Sequence, residues 1–582
     1  MEQKTLIEVR DLTVGFPSEK DGIHTVVDHI NFDINEGEIV GIVGESGSGK
    51  SMTALSIMGL LNKDAVIMDG QVRLRGTDIL NMDRDDRRKI QGDDMSMVFQ
   101  EPMTSLNPVM RIGDQVGEVL KLHTKLSDDE IDARVAEALT SVGLKKPEEL
   151  MRSYPHQLSG GMRQRVMIAM AIINQPDLII CDEPTTALDV TVQAQILALL
   201  KKIHREKGCS ILFISHDLNV IKEICQRVIV MYHGTIVEQG SVEKVMYSPE
   251  HAYTKKLVAS IPEQLSENVS KDPLIHVKDL NIYYRTAGKI FTSRKDRTVY
   301  VKDLSFDIYK GEIFGLVGES GCGKTTVAKA LTGLNTDIEG VMDLGGTRPQ
   351  MVFQDPFSSL NPAMKIGKIL EEPLKLAGIK DKAERRRQVN EVLLDIGLDE
   401  SFAGRYAREL SGGQRQRIAI GLALMRGEKF IIADEPVSAL DVTVQSQILK
   451  LLVKLHKEKG LTILFISHDL NIVRHLCNRV VVMYLGRVVE MADVNELYDN
   501  PMHPYTRMLF ESILTDKKKT DTDKITVNEV RPLKRDQEMC AFYGRCRYAQ
   551  DKCQEKALEL RNIGTEENPH LLRCCLRIGK DE

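Results

Sequence analysis

No stretch of this chain stays apolar for long. The longest unbroken run covers eight residues, Val166 to Ile173, whereas a helix crossing a bilayer needs about twenty. The N-terminus, MEQKTLIEVRDL, lacks the apolar segment of a secretory signal. The expectation is a cytosolic chain whose membrane role comes through a partner. A basic excess is missing too: 78 Lys and Arg stand against 84 Asp and Glu, a formal charge of −6. That balance disfavours nonspecific nucleic-acid binding, which needs a positive surface. Local basic runs such as Arg385-Arg386-Arg387 read as a solvated helix face. Cysteine is thin through the body, with five scattered positions that suit a reducing compartment. The other five crowd between Cys540 and Cys575 and need their own explanation.

At 582 residues the chain is longer than one domain usually runs, so several cores are expected. It contains its own half. LSGGMRQR starts at Leu158 and LSGGQRQR at Leu410, an offset of 252. DEP at Asp182 returns at Asp434, and ILFISHDLN at Ile211 returns at Ile463, with the same offset. Further upstream the offset is 274, between Lys50 and Lys324. The first half therefore holds extra residues between its glycine turn and MVFQ, and the second has a longer start around AGKIFTSRKDR. Such changes belong in surface loops. LIICDEP and ILFISHD are apolar runs ending in polar groups, the pattern of parallel strands covered on both faces by helices. With helical stretches such as Val190 to Glu206 between them, the class is α/β, with functional residues at the carboxyl ends of strands. The polar stretch Glu263 to Asp272 reads as a linker, and TDKKKTDTDK from Thr515 as a spacer before a tail.

GESGSGKS runs from Gly44 to Ser51 and GESGCGKT from Gly318 to Thr325, each between an apolar run and a helical stretch. Glycine, four residues, then Gly-Lys-Ser/Thr is the P-loop pattern. Its glycines let backbone N–H groups turn inward around phosphate oxygens, and the helix N-terminus adds positive potential. Lys50 and Lys324 would bind the β- and γ-phosphates, and Ser51 and Thr325 would each place a hydroxyl on Mg²⁺. One match could be a chance glycine turn; two in register inside a repeat could not. Asp182-Glu183 and Asp434-Glu435 end buried strands, where the aspartate suits Mg²⁺ and the glutamate suits polarising the attacking water. A cap for the next helix is the bland alternative. LSGG opens a long helix in each half, giving an N-terminus stripped of side chains whose N–H groups and serine hydroxyl can press on an anion.

These paired motifs resemble two nucleotide-binding subunits of an ABC transporter fused in tandem. The resemblance implies two P-loop NTPase domains, each with a RecA-like core, an antiparallel β subdomain and a helical signature subdomain. It further implies that the serine-glycine-glycine of one domain closes over the ATP held by the other domain's P-loop. One composite site would join Lys50, Ser51, Gln100, Asp182, Glu183 and His216 with Ser411, Gly412 and Gly413. The second would join Lys324, Thr325, Gln354, Asp434, Glu435 and His468 with Ser159, Gly160 and Gly161. The loops themselves add Gly44, Ser46, Gly47, Ser48, Gly49 and Met52 in the first half, and Gly318, Ser320, Gly321, Cys322, Gly323 and Thr326 in the second. By the same resemblance Gln100 and Gln354, in MVFQ, touch Mg²⁺ and water and sense the membrane partner. His216 and His468, in ISHD, contact the γ-phosphate, and Asp189 and Asp441 cross the dimer. Phe16 and Tyr284 fit the adenine-stacking aromatic by position, with core packing as the alternative. Neither glutamate is lost and neither Ser-Gly-Gly is broken, so two hydrolytic sites are expected. Met162 stands where the signature usually has glutamine. Cys322 has two readings: a thiol made reactive by nearby N–H groups and Lys324, or a small residue tolerated where Ser48 sits in the first half.

EPMTSLNP (Glu101 to Pro108), DPFSSLNP (Asp355 to Pro362), SPEHAYT (Ser248 to Thr254) and NPMHPYT (Asn500 to Thr506) resemble the dipeptide, oligopeptide and nickel importer subfamily. The domains expected are 1–262 and 273–514, joined by linker 263–272 and followed by an extension from 515 to 582. The subfamily implies a peripheral position on the cytoplasmic face of the inner membrane, two integral-membrane permease subunits and a solute-binding protein, with ATP and Mg²⁺ as cofactors and no nucleic acid. In the tail, Cys540, Cys546, Cys553 and Cys574 lie at loop spacings, without the paired Cys-x₂₋₄-Cys usual for zinc. The resemblance implies a [4Fe–4S] cluster there; zinc and unliganded thiols stay open. A translation- or DNA-associated tandem ABC ATPase is the competing function, disfavoured by the short linker and the acidic balance.

Overall fold

The computed structural model describes residues 4–18, 22–186, 188–258, 270, 272–285, 297–355, 359–438, 440–511, 539–555 and 558–575. Most of the expected linker, the insertion around AGKIFTSRKDR, part of DPFSSLNP and the spacer from Thr515 lie outside these residues. The chain divides into two compact units, one made of 1–188, 192–260 and 441–443 and the other of 189–191, 261–440 and 444–582.

The first unit is built on two sheets. Strands β1 (Thr5–Ser18), β2 (Gly22–Asn35), β4 (Val66–Leu74) and β5 (Thr77–Asp78) form an antiparallel sheet in the order β2-β1-β4-β5. The second sheet uses β3 (Ile39–Gly44), β6 (Met95–Val98), β7 (Leu178–Asp182), β8 (Ser210–Ile214), β9 (Arg227–Tyr232) and β10 (Thr235–Ser241). Its order is β10-β9-β3-β8-β7-β6, parallel except for β10. β3, β7 and β8 are buried at every residue, as their unbroken apolar sequence requires. Their alternate side chains enter two different cores: Ile179 and Cys181 face one, and Leu178 and Ile180 face the other.

The second unit repeats this plan. β11 (Pro273–Arg285), β12 (Arg297–Tyr309) and β14 (Ile338–Asp343) form the antiparallel sheet in the order β12-β11-β14. The larger sheet contains β13 (Ile313–Val317), β15 (Gln350–Val352), β16 (Phe430–Asp434), β17 (Thr462–Ile466), β18 (Arg479–Tyr484) and β19 (Arg487–Asp493). The first half's extra residues are β5 and the helix Arg84–Ile90.

One difference falls at the sheet edge. The tail supplies two short strands, β20 (Arg561–Asn562) and β21 (Leu571–Leu572), and the order becomes β15-β16-β17-β13-β18-β19-β21-β20. Edge strand β10 of the first unit is partly or fully exposed along its length, whereas β19 is buried up to its last residue. Covering an edge removes a row of open backbone groups, which otherwise invites pairing with another chain.

The signature helices Gly160–Ile172 and Gly412–Leu424 both begin after a serine N-cap. Ser411 and Gln414 form a reciprocal capping box, with the Ser411 N–H donating to Gln414 Oε1 at 3.0 Å. Met162 cannot return that bond, so Ser159 caps alone. This is the structural content of the methionine substitution, and a cap interaction of this kind contributes about 1 kcal/mol or less. Among the described residues no helix is long and apolar enough to cross a membrane.

Candidate functional site

In each unit the glycine turn leaves the central parallel strand and enters a helix, Lys50–Met58 or Lys324–Leu331. Close packing enforces its glycines. A Cβ on Gly44 would stand 2.3 Å from the Met231 carbonyl oxygen, and one on Gly318 would stand 2.2 Å from that of Met483. Gly49 and Gly323 cap the helices at φ of 99° and 115°, open to glycine and strained for other residues. Lys50 Nζ donates to the carbonyls of Gly44 and Glu45, both at 2.9 Å; Lys324 Nζ donates to those of Gly318 and Glu319 at 2.7 and 3.3 Å. Both lysines are buried and bent over their own loops. Burial lowers the Lys50 ammonium from its usual value, and Glu183 and Asp182 oppose that shift.

The hydroxyl, aspartate and glutamate come together as the spacing implied. Ser51 Oγ donates to Asp182 Oδ1 at 3.1 Å. In the second unit Thr325 hydrogen-bonds the Asp434 carboxylate, whose Oδ1 is buried with no hydrogen-bond partner. Burial pushes both aspartates up from the ordinary carboxylate value, against the hydroxyl hydrogen bond that holds them down. A bare buried carboxylate oxygen beside a P-loop hydroxyl is the hard oxygen donor set that suits Mg²⁺.

Each glutamate gathers a glutamine and a histidine. Gln100 Nε2 donates to Glu183 Oε2 at 3.0 Å, and His216 Nδ1 lies 3.1 Å from the same oxygen. Gln354 Nε2 donates to Glu435 Oε2 at 2.8 Å, and His468 Nδ1 lies 3.2 Å from it. Burial would raise these carboxyls, but the histidine outweighs it and holds them below the usual glutamate value. The histidines are raised in turn: burial lowers them, and the hydrogen bond and charge of the glutamate more than compensate. Each member of a pair thus favours the ionised form of the other.

Other expected residues are placed as follows. Phe16 and Tyr284 are half-buried near strand ends rather than in the core; Phe16 pairs with His24, and Tyr284 meets Tyr300 edge-on at 4.8 Å. The signature serines make no hydrogen bond to the P-loop of their own unit among the described residues; Ser159 and Ser411 cap their helices. Gly161 and Gly413 are packed hard, since a Cβ would meet Val192 at 2.8 Å and Val444 at 2.3 Å. Cys322 is only 3% exposed. Burial raises its thiol from the ordinary value and outweighs Lys324, so the reactive-thiol expectation is corrected: the sequence shows the cation but not the burial.

The tail bears on a second expectation. Cys553 Sγ lies 3.2 Å from the Sγ of Cys575, a cysteine outside the expected four. Burial pushes up the thiols of Cys540, Cys546 and Cys575, the last to about 11. No group of three or more His, Cys, Asp or Glu among the described residues is arranged to hold a metal ion. The described residues thus lend no support to an iron–sulfur cluster on Cys540, Cys546, Cys553 and Cys574.

Sequence reasoning missed three features. Glu183 and Glu435 have φ of 46° and 48°, in the left-handed region. That region costs a non-glycine residue about 1 kcal/mol or more, and it is pinned here by their N–H groups donating to Ile214 and Ile466 carbonyls at 3.0 and 2.9 Å. The tyrosines of HAYT and HPYT support the loops: Tyr253 Oη accepts from the Glu45 N–H at 3.1 Å, and Tyr505 Oη from the Glu319 N–H at 2.9 Å. Arg545 of the tail pairs with Glu319. The repeat of both tyrosines was the available signal; for Arg545 there was none.

A parallel sheet with a P-loop, a strand-end Asp-Glu pair and a polarised glutamate, present twice, defines a tandem P-loop nucleoside triphosphatase. Comparison with known proteins gives the family. The ABC transporter family model matches residues 27–186 and 301–438, and the model for the oligopeptide/dipeptide transporter C-terminal region matches 237–295 and 489–553. The peptidoglycan transport ATP-binding protein YejF of Agrobacterium fabrum is 43% identical, over 87% of this chain and 95% of its own length. The glutathione import ATP-binding protein GsiA of Salmonella choleraesuis is 39% identical, over 88% of this chain and 90% of its own. A solved archaeal ribosome recycling factor, aABCE1, in complex with the ribosomal stalk protein aP1, aligns with a TM-score of 0.56 over 82% of this chain and 89% of that one. At 20% identity it shows the shared fold alone. The chain belongs to the ABC transporter family of ATP-binding proteins, as a tandem ATPase of the importer type that uses ATP and Mg²⁺.

Proposed function

We propose that this chain energises the import of short peptides or peptide-like solutes, using two ATP sites that are each completed by the signature helix of the other domain. In this reading the domains are 1–262 and 273–514, joined by linker 263–272, with the extension running from 515 to 582. The observation that carries the solute class is the double match to the oligopeptide/dipeptide C-terminal region, whose tyrosines reach the phosphate loops. The relatives named for peptidoglycan and glutathione transport agree with a peptide-bearing cargo.

In this reading Lys50 and Lys324 leave their loop carbonyls to grip the β- and γ-phosphates. Ser51 with Asp182, and Thr325 with Asp434, would hold Mg²⁺, which would supply charge neutralisation on the transferring phosphoryl group. Glu183 and Glu435 orient the attacking water and accept its proton. His216 and His468 contact the γ-phosphate, and Gln100 and Gln354 join the same glutamates to the face presented to the permeases. Phe16 and Tyr284 stack on adenine. The chain sits peripherally on the cytoplasmic side, with two permease subunits and a solute-binding protein as partners. For the tail, iron analysis of anaerobically purified protein decides the cluster that the resemblance implied. Stoichiometric iron with charge-transfer absorbance would show that the cysteines rearrange to bind it; its absence leaves them thiols.

The functional reading is tested by uptake. Cells deleted for this chain are expected to lose accumulation of labelled di- and tripeptides or glutathione. The intact chain should restore it, and Lys50→Ala or Lys324→Ala should not. Normal uptake of all these solutes in the deletion strain sinks the peptide class.

A further inference from the structure

The second phosphate loop has a contact that the first lacks. Arg545, in the short turn Tyr543–Arg545 of the tail, sets its guanidinium on the Glu319 carboxylate, with Nη1 to Oε2 at 2.6 Å and Nη2 to Oε1 at 3.0 Å. Both side chains are largely enclosed, at 18% and 16% exposure. The guanidinium lies 5.8 Å from the ring centroids of both Tyr484 and Phe542 and 3.9 Å from Met508 Sδ. Its counterpart in the first loop, Glu45, has no ion pair among the described residues.

Glu319 is the second residue of a loop that gathers phosphate oxygens. An unneutralised carboxylate there opposes a triphosphate, and a free side chain lets the loop backbone turn away. A two-pronged arginine answers both, because it cancels the charge and fixes the orientation. Lysine, as a point charge, would do only the first. The Tyr505 hydroxyl holds the Glu319 N–H from the same side of the chain's second half, so the loop is gripped at both backbone and side chain.

We propose that Arg545 is a positioning residue for the second ATP site: the tail holds the Glu319 loop in its phosphate-binding form, so nucleotide binding at Lys324 depends on the tail while binding at Lys50 does not. The proposal goes beyond the importer reading and rests on one premise of it, that the Lys324 loop binds phosphate.

The test uses the full chain and a fluorescent N-methylanthraniloyl ATP with Mg²⁺. Lys50→Ala leaves only the second loop to be titrated, and Lys324→Ala leaves only the first. In the Lys50→Ala chain, Arg545→Ala is expected to raise Kd about tenfold, and Arg545→Lys by less. In the Lys324→Ala chain, Arg545→Ala should change Kd by less than about twofold. With Glu319→Gln already present there is no charge to neutralise, so Arg545→Ala should add little. Should Arg545→Ala fail to fold, Arg545→Lys and Glu319→Gln still give the site-selective comparison. Equal weakening of both sites, no weakening of the second, or additive effects of the Arg545 and Glu319 changes would overturn the proposal. Undiminished binding in the doubly substituted Lys50→Ala, Lys324→Ala chain would instead remove the premise.

Discussion

Cys322 shows how burial can overrule a neighbouring charge. Its thiol stands two residues from Lys324, which favours the thiolate, yet it is enclosed beneath the loop, and the cost of taking the charge from water wins. Reactivity follows the thiolate. Maleimide labelling of Cys322 in the folded chain at neutral pH is therefore expected to be slow, and no slower with ATP present. Rapid labelling that ATP suppresses would restore the reactive reading. Most of the site was legible at this scale, because phosphate binding needs particular residue types at particular spacings: Lys50, Ser51, Asp182 and Glu183 converge as the motifs imply. What stayed hidden depends on neighbours far away in sequence. The positive φ of Glu183 is held by a carbonyl 31 positions on, and Arg545, the ion-pair partner of Glu319, stands 226 residues away.

At the scale of elements, the long buried strands and the amphipathic helices could be read from apolar runs, and the helix expected over Val190 to Glu206 forms over Val190–Lys207. The tail strands could not, since two-residue strands carry no periodicity. They are held by backbone pairing of β21 to β19 and of β20 to β21, and by a buried pair, His570 Nε2 to Glu490 Oε1 at 2.7 Å, with Glu496 3.5 Å from the other ring nitrogen. Burial lowers the His570 pKa, but Glu490 and Glu496 outweigh it and raise it above the usual histidine value. The neighbouring His503 takes no part in titration near neutrality, since burial pushes it down to about 4. A raised folded pKa means that the pair's stabilisation is fully present below the unfolded value of about 6.5 and is lost as pH rises through the folded value. Protease cleavage within the tail is thus expected to be faster at a pH above the folded His570 value than at about pH 6, while His570→Asn cleaves fast at both. An intact chain equally resistant at both pH values would show that the pair does not hold the tail.

For the whole molecule, the question is why each unit repeats a motif that its own site leaves unused. Lys50, Asp182, Glu183 and His216 are gathered at one place in the first unit, while Ser159 spends its hydroxyl capping a helix; the second unit repeats this with Lys324, Asp434, Glu435, His468 and Ser411. A glycine-stripped helix N-terminus can serve as an anion site, so the proposed exchange between domains would give both signatures work. The arrangement can be separated from its opposite by retention of labelled ATP on gel filtration. Lys324→Ala confines nucleotide to the Lys50 loop, and Glu183→Gln keeps it unhydrolysed. In that chain Ser411→Arg, which drives a long cation into the helix tip, is expected to reduce retained ATP about 10²-fold, whereas Ser159→Arg should leave it intact. The mirrored chain, Lys50→Ala with Glu435→Gln, should reverse the two results. If Ser159→Arg empties the Lys50 loop and Ser411→Arg does not, each domain closes its own site, and the tandem repeat would have to be explained by the permease pair alone.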